Sequence, residues 1–191
     1  VLGNTASLEG EQRAVDDKSQ SEGGGDRVRL GLPGRQLELL QMLHESGKPI
    51  VLVLTGGSPL ELEWASQNIP AILMSWYGGE AGGQAVADVL FGDYNPAGRL
   101  PVTFVRGLEQ LPPFENYDMA GRTYRFSKHE PRYRFGYGLS YTRFKYTSLE
   151  LSPARIGRDG QVRVCVDVTN VGPREGDEVV QMYVRDVEAS V

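Results

Sequence analysis

The run PIVLVL, residues 49–54, is apolar on every side. A strand of this composition is typical of a parallel sheet whose two faces are both covered. The run PAILMSW, residues 70–76, has the same character and predicts a second strand of that kind. Two such runs in one chain favour a parallel sheet over the half-exposed strands of an antiparallel one.

Helical patterns surround these two strands. Leucines at three-residue spacing predict a helix between residues 35 and 47, where a glycine supplies the stop. Between the strands, Ser58, Pro59 and Glu61 fit the N-cap, N1 and N3 positions of a capping box, which predicts a second helix start. A third helix is predicted after the glycine-rich YGGEAGGQ and ends at Gly92.

The alternation of helices and strands predicts an α/β fold with a mostly parallel sheet flanked by helices. Val1-Leu2-Gly3 fits the end of an earlier strand of the same sheet, so we expect the chain to be truncated at its amino end. The region 105–143 is aromatic and basic with little periodicity, and we interpret it as a long wrapping segment.

The pattern changes at Phe144. The stretches FKYTSLEL (144–151), QVRVCVDVTN (161–170) and DEVVQMYVRD (177–186) alternate apolar and polar residues, as the strands of an antiparallel sandwich do. Three strands cannot close a sandwich, so this second domain is expected to be truncated as well. The predicted boundaries are residues 1–143 for the α/β domain and 144–191 for the partial β domain.

Composition excludes several classes of function. The 191 residues carry a net charge of −5, which argues against nucleic acid or an anionic membrane surface as a partner. Cys165 is the single cysteine, and neither His44 nor His129 has a zinc-site spacing. Glycine motifs for dinucleotides or phosphates are absent from the sequence. We therefore expect no metal and no cofactor.

Carboxylates and aromatic side chains remain as candidates for chemistry. Glu9 and Glu11 lie on the loop that follows the first predicted strand, at the sheet edge where α/β proteins bind ligands. An acid on that loop could protonate a leaving group, although the spacing alone is more typical of two solvated charges. Trp76 ends a strand at the same edge, where it could stack on a flat face of a ligand or pack against the end of the sheet.

Four stretches resemble glycoside hydrolase family 3. They are GGDRVRLGLPGRQLELL (24–40), GKPIVLVLTGGSPLELEWA (47–65), AILMSWYGGEAGGQAVADVLFGDYNPAGRLPVTF (71–104) and YRFGYGLSYTRFKY (133–146). In order and spacing they are similar to the second, α/β-sandwich domain of β-xylosidases and β-glucosidases in that family. The strands from Phe144 resemble the start of the family's fibronectin type III-like domain, which belongs to the immunoglobulin-like β-sandwiches.

The resemblance implies retaining hydrolysis of terminal non-reducing β-linked sugars, with two carboxylates and water as the acceptor. An aspartate nucleophile would come from an N-terminal TIM-like barrel that this chain lacks. Glu9 matches the general acid/base, with Glu11 as the alternative. Asp26 and Arg27 match the family's Asp-Arg pair and are expected to brace the loop by an ion pair.

The implied partner is an oligosaccharide or glycoside substrate, with no cofactor, metal, nucleic acid or membrane. Export, to the periplasm or out of the cell, is suggested by the resemblance alone. The isolated chain is expected to be inactive, because the nucleophile lies elsewhere. A rival hypothesis is a non-catalytic carbohydrate-binding or scaffold module that shares the fold. A flavodoxin-like nucleotide-binding domain is disfavoured by the missing glycine motifs.

Overall fold

The computed structural model describes residues 1–6, 27 and 29–188 of the chain. Three residues of the predicted site lie outside these ranges, namely Glu9, Glu11 and Asp26. The chain divides into two compact units. The first comprises Val1–Ala87, Leu100–Tyr137 and Val184–Val191, and the second comprises Asp88–Arg99 and Gly138–Tyr183.

Three parallel strands form the sheet of the first unit. They are β1 (Leu2–Gly3), β2 (Val51–Thr55) and β3 (Ala71–Met74), and within the described residues their order is β1-β2-β3. Strand β2 therefore lies in the middle, with Leu54 opposite Leu2 on one side and Met74 on the other. The parallel pairing confirms the interpretation of the two apolar runs and of the short stretch at the amino end.

Two of the described helices connect these strands, and two follow the last of them. They are α1 (Gln36–Glu45), α2 (Glu63–Asn68), α3 (Gly82–Phe91) and the short α4 (Thr123–Phe126). Helix α1 turns its single fully buried side chain, Leu40, into the core, and α3 is followed by Gly92 at φ +85°, where a glycine is favoured. The order of helices and parallel strands confirms the α/β fold class. None of the described helices has the length and apolar character needed to cross a bilayer.

The hydrophobic core of the first unit is built around strand β2. Leu52, Val53 and Leu54 are 2%, 5% and 0% exposed, as expected for a strand covered on both faces. Buried side chains from α1, from α2 and the residues beside it, and from the chain after residue 100 pack around β2. They are Leu40, Leu60, Leu62, Ala65, Ile69 and Phe104. The fold of this unit therefore rests on a continuous apolar centre.

The predicted capping box is wrong, because helix α2 begins at Glu63 and not beside Ser58. Leu60 and Leu62 are 1% and 3% exposed, so residues two apart both enter the core, as in extended chain. The backbone amide of Glu61 also donates to the carbonyl of Leu30 at 2.7 Å. Core burial and this tertiary hydrogen bond hold residues 58–62 out of the helix.

Phe104 carries the segment from residue 100 to residue 137 into the core. Phe104 is 1% exposed and forms an isolated antiparallel bridge with Tyr133. Their rings meet edge to face, with centroids 6.4 Å apart. A short 3₁₀ helix, Leu108–Gln110, is the segment's other regular element besides α4. This pairing supports the interpretation of a wrapping segment.

The second unit contains an antiparallel pair, β4 (Phe144–Ser152) and β5 (Arg163–Asn170). The third predicted strand, at residues 177–186, is wrong, because these residues are not assigned to a strand. A strand needs a neighbouring backbone to pair with, and the described residues offer none there. The fibronectin type III-like domain and the boundary at residue 144 stay predictions.

A buried asparagine ties together the loops of the second unit. Asn95 is 7% exposed, and its Oδ1 accepts hydrogen bonds from the Ser140 hydroxyl at 3.1 Å and the Tyr141 amide at 2.8 Å. Its Nδ2 donates to the carbonyl of Glu175 at 3.0 Å. A Cβ on Gly176 would lie 2.0 Å from Nδ2, so only glycine fits there. Three segments that are distant in sequence thus meet at one amide.

Candidate functional site

The candidate site lies at the carboxyl edge of the parallel sheet. Because all three strands run the same way, the residues that follow them emerge at one edge, as in α/β proteins that bind ligands there. Asn4 follows β1, Gly56 follows β2 and Ser75 follows β3. The stretch that carries Glu9 and Glu11 continues the chain beyond Asn4, and its residues 7–26 lie outside those described.

The end of strand β1 is held tightly against β2. Gly3 has φ +130°, and a Cβ at this position would lie 2.0 Å from the carbonyl oxygen of Thr55, so a side chain cannot be accommodated. The amide of Asn4 donates to the same carbonyl at 2.9 Å, and the Thr55 hydroxyl donates to the carbonyl of Asn4 at 3.1 Å. Asn4 itself is 3% exposed. The chain therefore leaves the sheet from a fixed, buried point.

Gln36, the first residue of α1, covers the outer side of β1. Its side-chain Oε1 accepts a hydrogen bond from the Gly3 amide at 2.6 Å, and its Nε2 donates to the Gly3 carbonyl at 3.0 Å. One amide group thus satisfies both backbone groups of a residue at the sheet edge. The sequence offered no signal for this contact, since the two residues are 33 positions apart.

Arg27 lies on the far side of the undescribed stretch and is also fastened to the turn after β2. Its Nη1 donates to the Ser58 hydroxyl at 2.9 Å and to the Pro59 carbonyl at 3.1 Å. Its Nη2 donates to the Gly31 carbonyl at 3.2 Å. These contacts agree with a structural role for Arg27, while the predicted ion pair with Asp26 lies outside the described residues and stays a prediction.

Trp76 follows β3 at the same edge and adopts φ +56°, which is uncommon for a residue with a side chain. Its ring meets Phe104 edge to face, with centroids 6.3 Å apart, and it is partly buried against the core. Tyr77 beside it is 44% exposed. The structure therefore shows packing for part of the indole, and its role in binding stays a prediction.

The predicted residues emerge from strand ends that are close together. Strand β2 lies between β1 and β3, so the two outer strand ends are separated by two strand spacings, about 10 Å. The described residues contain no cluster of histidine, cysteine or carboxylate groups that could hold a metal ion.

The carboxylate of Glu63 on α2 binds two arginine side chains. Glu63 accepts two hydrogen bonds from Nη1 of Arg106, at 3.0 and 2.9 Å, and Arg132 Nη1 lies 3.9 Å from it. The group is partly exposed, and it joins the helix to the segment that follows residue 100. Glu63 is therefore part of the scaffold and is not a candidate acid.

Comparison with known proteins identifies the family. The profile of the Glycosyl hydrolase family 3 C-terminal domain matches residues 1–141. The chain is 49% identical to a β-xylosidase of Formosa agariphila over 173 residues, which are 88% of this chain and 24% of that protein. It is 42% identical to the periplasmic β-glucosidase of Salmonella typhimurium over 188 residues, 92% of this chain and 25% of that protein. The chain therefore belongs to glycoside hydrolase family 3.

Solved structures agree with this assignment. A β-glucosidase from Erythrobacter marinus superposes with a TM-score of 0.72 at 44% identity, over 92% of this chain and 23% of that one. A family 3 exo-β-xylosidase, solved with a xylobiose aziridine probe, gives a TM-score of 0.60 at 33% identity, over 65% of this chain and 18% of that one. The chain spans about a quarter or less of the length of these relatives.

Proposed function

We propose that this chain is part of a retaining exo-β-glycosidase of the β-xylosidase or β-glucosidase type and that it contributes the general acid/base. The named relatives support the reaction class, since they are β-xylosidases and β-glucosidases. Because the chain covers 21–25% of those proteins, we assign the nucleophile to a barrel domain of the same enzyme outside these residues.

In this proposal Glu9 is the acid/base and Glu11 the alternative. The protonated carboxyl gives its proton to the glycosidic oxygen while an aspartate of the barrel attacks the anomeric carbon. The same carboxylate then removes a proton from the water that hydrolyses the glycosyl-enzyme. The two carboxyl groups must lie about 5–5.5 Å apart. The acid must also be kept protonated by burial or by the neighbouring negative charge.

The observation that carries the proposal is the fixed end of β1. The acid must be held within hydrogen-bond reach of one oxygen atom, so its loop needs firm anchors. Asn4 before the loop is bound to Thr55, and Arg27 after it is bound to Ser58 and Pro59. The flank before the loop is thus secured to the end of the central strand, and the flank after it to the turn that follows that strand.

Trp76 is proposed to contribute to the leaving-group subsite. It emerges at the carboxyl edge about two strand spacings from the start of the acid/base loop. A flat indole face suits the apolar face of a pyranose, and its unusual backbone conformation is of the kind that collects at functional sites. Tyr77, which is more exposed, extends the same surface.

The test is carried out in the full-length polypeptide that contains these residues. Glu9→Gln and Glu11→Gln are each assayed with an aryl β-xyloside and an aryl β-glucoside, with and without azide. We expect one variant to lose on the order of 100-fold or more in rate and to recover with azide, which needs no general base. Unchanged activity in both variants would favour a non-catalytic carbohydrate-binding module.

The 191-residue chain alone provides a second test. We expect it to show no turnover of aryl glycosides, because the nucleophile belongs to the proposed barrel domain. Measurable hydrolysis by the pure chain would contradict this division of the catalytic residues. The sugar that is removed is assigned to contacts of the barrel domain, and an exported location stays a prediction.

A further inference from the structure

Strand β1 is short, and the chain that carries the proposed acid/base follows it directly. The strand has two residues and pairs on one side only, with β2, among the described strands. A short edge strand leaves its outer backbone groups without partners, and such strands contribute little stability by themselves. Thr55 of β2 holds the inner side of this strand end, so the outward-facing backbone groups of Gly3 need a partner of another kind.

The amide of Gln36 is that partner. Its two hydrogen bonds to the amide and carbonyl of Gly3, at 2.6 and 3.0 Å, imitate a further strand on the outer edge. The donor and the acceptor must both be present and must lie in one plane, which a carboxamide provides. Gln36 is itself fixed, because it begins α1, whose Leu40 is 2% exposed in the core.

We propose that Gln36 is a positioning residue for proton transfer, which it controls through Gly3 and the loop that begins there. This inference rests on the proposed function. Residue 9 lies six positions beyond Gly3, a span of at most about 20 Å, so Gly3 is the near end of the chain that leads to the proposed acid. Misplacement of a catalytic group by about 1 Å can cost on the order of 100-fold in rate.

The principal variant is Gln36→Met in the full-length enzyme, since methionine keeps the length of the side chain and removes both hydrogen bonds. Its control is Gln41→Met on the same helix. Gln41 is also partly exposed, and its side chain makes no hydrogen bond to the described residues. Gln36→Glu is a graded variant, because its carboxylate can still accept from the Gly3 amide but cannot donate to the carbonyl.

The readout is kcat/KM for two substrates of the same sugar, one with a phenol and one with a 2,4-dinitrophenol leaving group. The phenol needs the acid, whereas dinitrophenolate departs without a proton. We expect Gln36→Met to lose on the order of 10-fold to 100-fold with the phenyl glycoside and less than about 2-fold with the dinitrophenyl glycoside. Gln36→Glu should lie between Gln36→Met and the parent enzyme, and Gln41→Met should match the parent.

The ratio of the two kcat/KM values does not depend on the fraction of folded enzyme, so it separates positioning from stability. An equal loss with both substrates, or no loss, would overturn the role of Gln36. If Glu9→Gln or Glu11→Gln discriminates between the leaving groups and Gln36→Met does not, this inference fails while the proposed function stands. If neither glutamate variant discriminates, the proposed function fails, and the inference fails with it.

Discussion

Strands β2 and β5 both contain several apolar side chains, but these side chains are buried to very different extents. In β2, Leu52 and Leu54 are 2% and 0% exposed, whereas in β5 Val164 and Val168 are 42% and 37% exposed. The first strand lies at the centre of a core. The second pairs with one neighbour, and its side chains remain accessible within the described residues.

The two units therefore depend on different forces. The fully buried apolar residues among those described all belong to the first unit, and the buried side chains of the second are the polar Asn95 and Thr142. The second unit adds an ion pair between Arg99 and Glu178, at 2.8 Å and largely buried. Hydrophobic burial holds the sheet, while hydrogen bonds and charges hold the loops around β4 and β5.

The largest expected effect comes from the centre of the sheet. Leu54→Ala removes a side chain that is 0% exposed and leaves a cavity, and it should cost about 3 kcal/mol of unfolding free energy. Leu149→Ala in β4 is the matched control. That side chain is 70% exposed, so its loss should cost less than about 0.5 kcal/mol. Urea denaturation measures both, and similar losses would abolish the distinction between the strands.

A smaller loss is expected where the sheet edge meets the proposed site. Gly3→Ala combines φ +130° with a Cβ placed 2.0 Å from the Thr55 carbonyl, and it should cost about 2 kcal/mol. Gly31→Ala, where a Cβ would meet no atom within 4 Å, is the comparison and should be nearly neutral. Thermal unfolding of both variants checks this. An unchanged melting temperature for Gly3→Ala would show that β1 is not packed closely against Thr55.

The polar cluster of the second unit should respond to the loss of a single amide. Asn95→Ala leaves the Ser140 hydroxyl, the Tyr141 amide and a carbonyl without partners, at a cost of about 1–2 kcal/mol. Asn116→Ala, at an exposed turn, should have little effect. Hydrogen exchange at the Tyr141 amide is the local readout. If Asn95→Ala leaves that exchange unchanged, hydrogen bonding does not hold this unit together.

The smallest effect concerns pH. Loss of hydration, and then a hydrogen bond donated to Glu178, raise the pKa of Tyr146 above its ordinary 10.0. The neutral phenol is favoured in the folded state, so its contribution to stability is full below about pH 10 and declines as the pH rises beyond that value.

The test compares Tyr146→Phe with Tyr117→Phe, whose phenol is 87% exposed. Tyrosinate absorbance should show a late-titrating phenol in the parent protein that is absent from Tyr146→Phe and present in Tyr117→Phe. If Tyr146→Phe keeps that late-titrating phenol, the late titration does not belong to Tyr146 and its contact with Glu178 has no electrostatic effect.

The sequence predicted what local composition controls. Runs that are apolar on every side became β2 and β3, because burial on both faces follows directly from such composition. The start of α2 was predicted wrongly because a hydrogen bond from Glu61 to Leu30, together with core burial, overrides the local capping pattern. The role of Gln36 at β1 had no local signal, since long-range hydrogen bonds between polar side chains and backbone leave no periodicity.

The central claim is that a glutamate after β1 is an acid/base and not a nucleophile. The most direct measurement is the configuration of the glycosyl azide formed by whichever of Glu9→Gln and Glu11→Gln is rescued by azide, determined by NMR. In a retaining enzyme azide replaces the water that attacks the glycosyl-enzyme, so the account predicts the β-glycosyl azide. The α-glycosyl azide would contradict it, because azide would then have taken the place of the nucleophile.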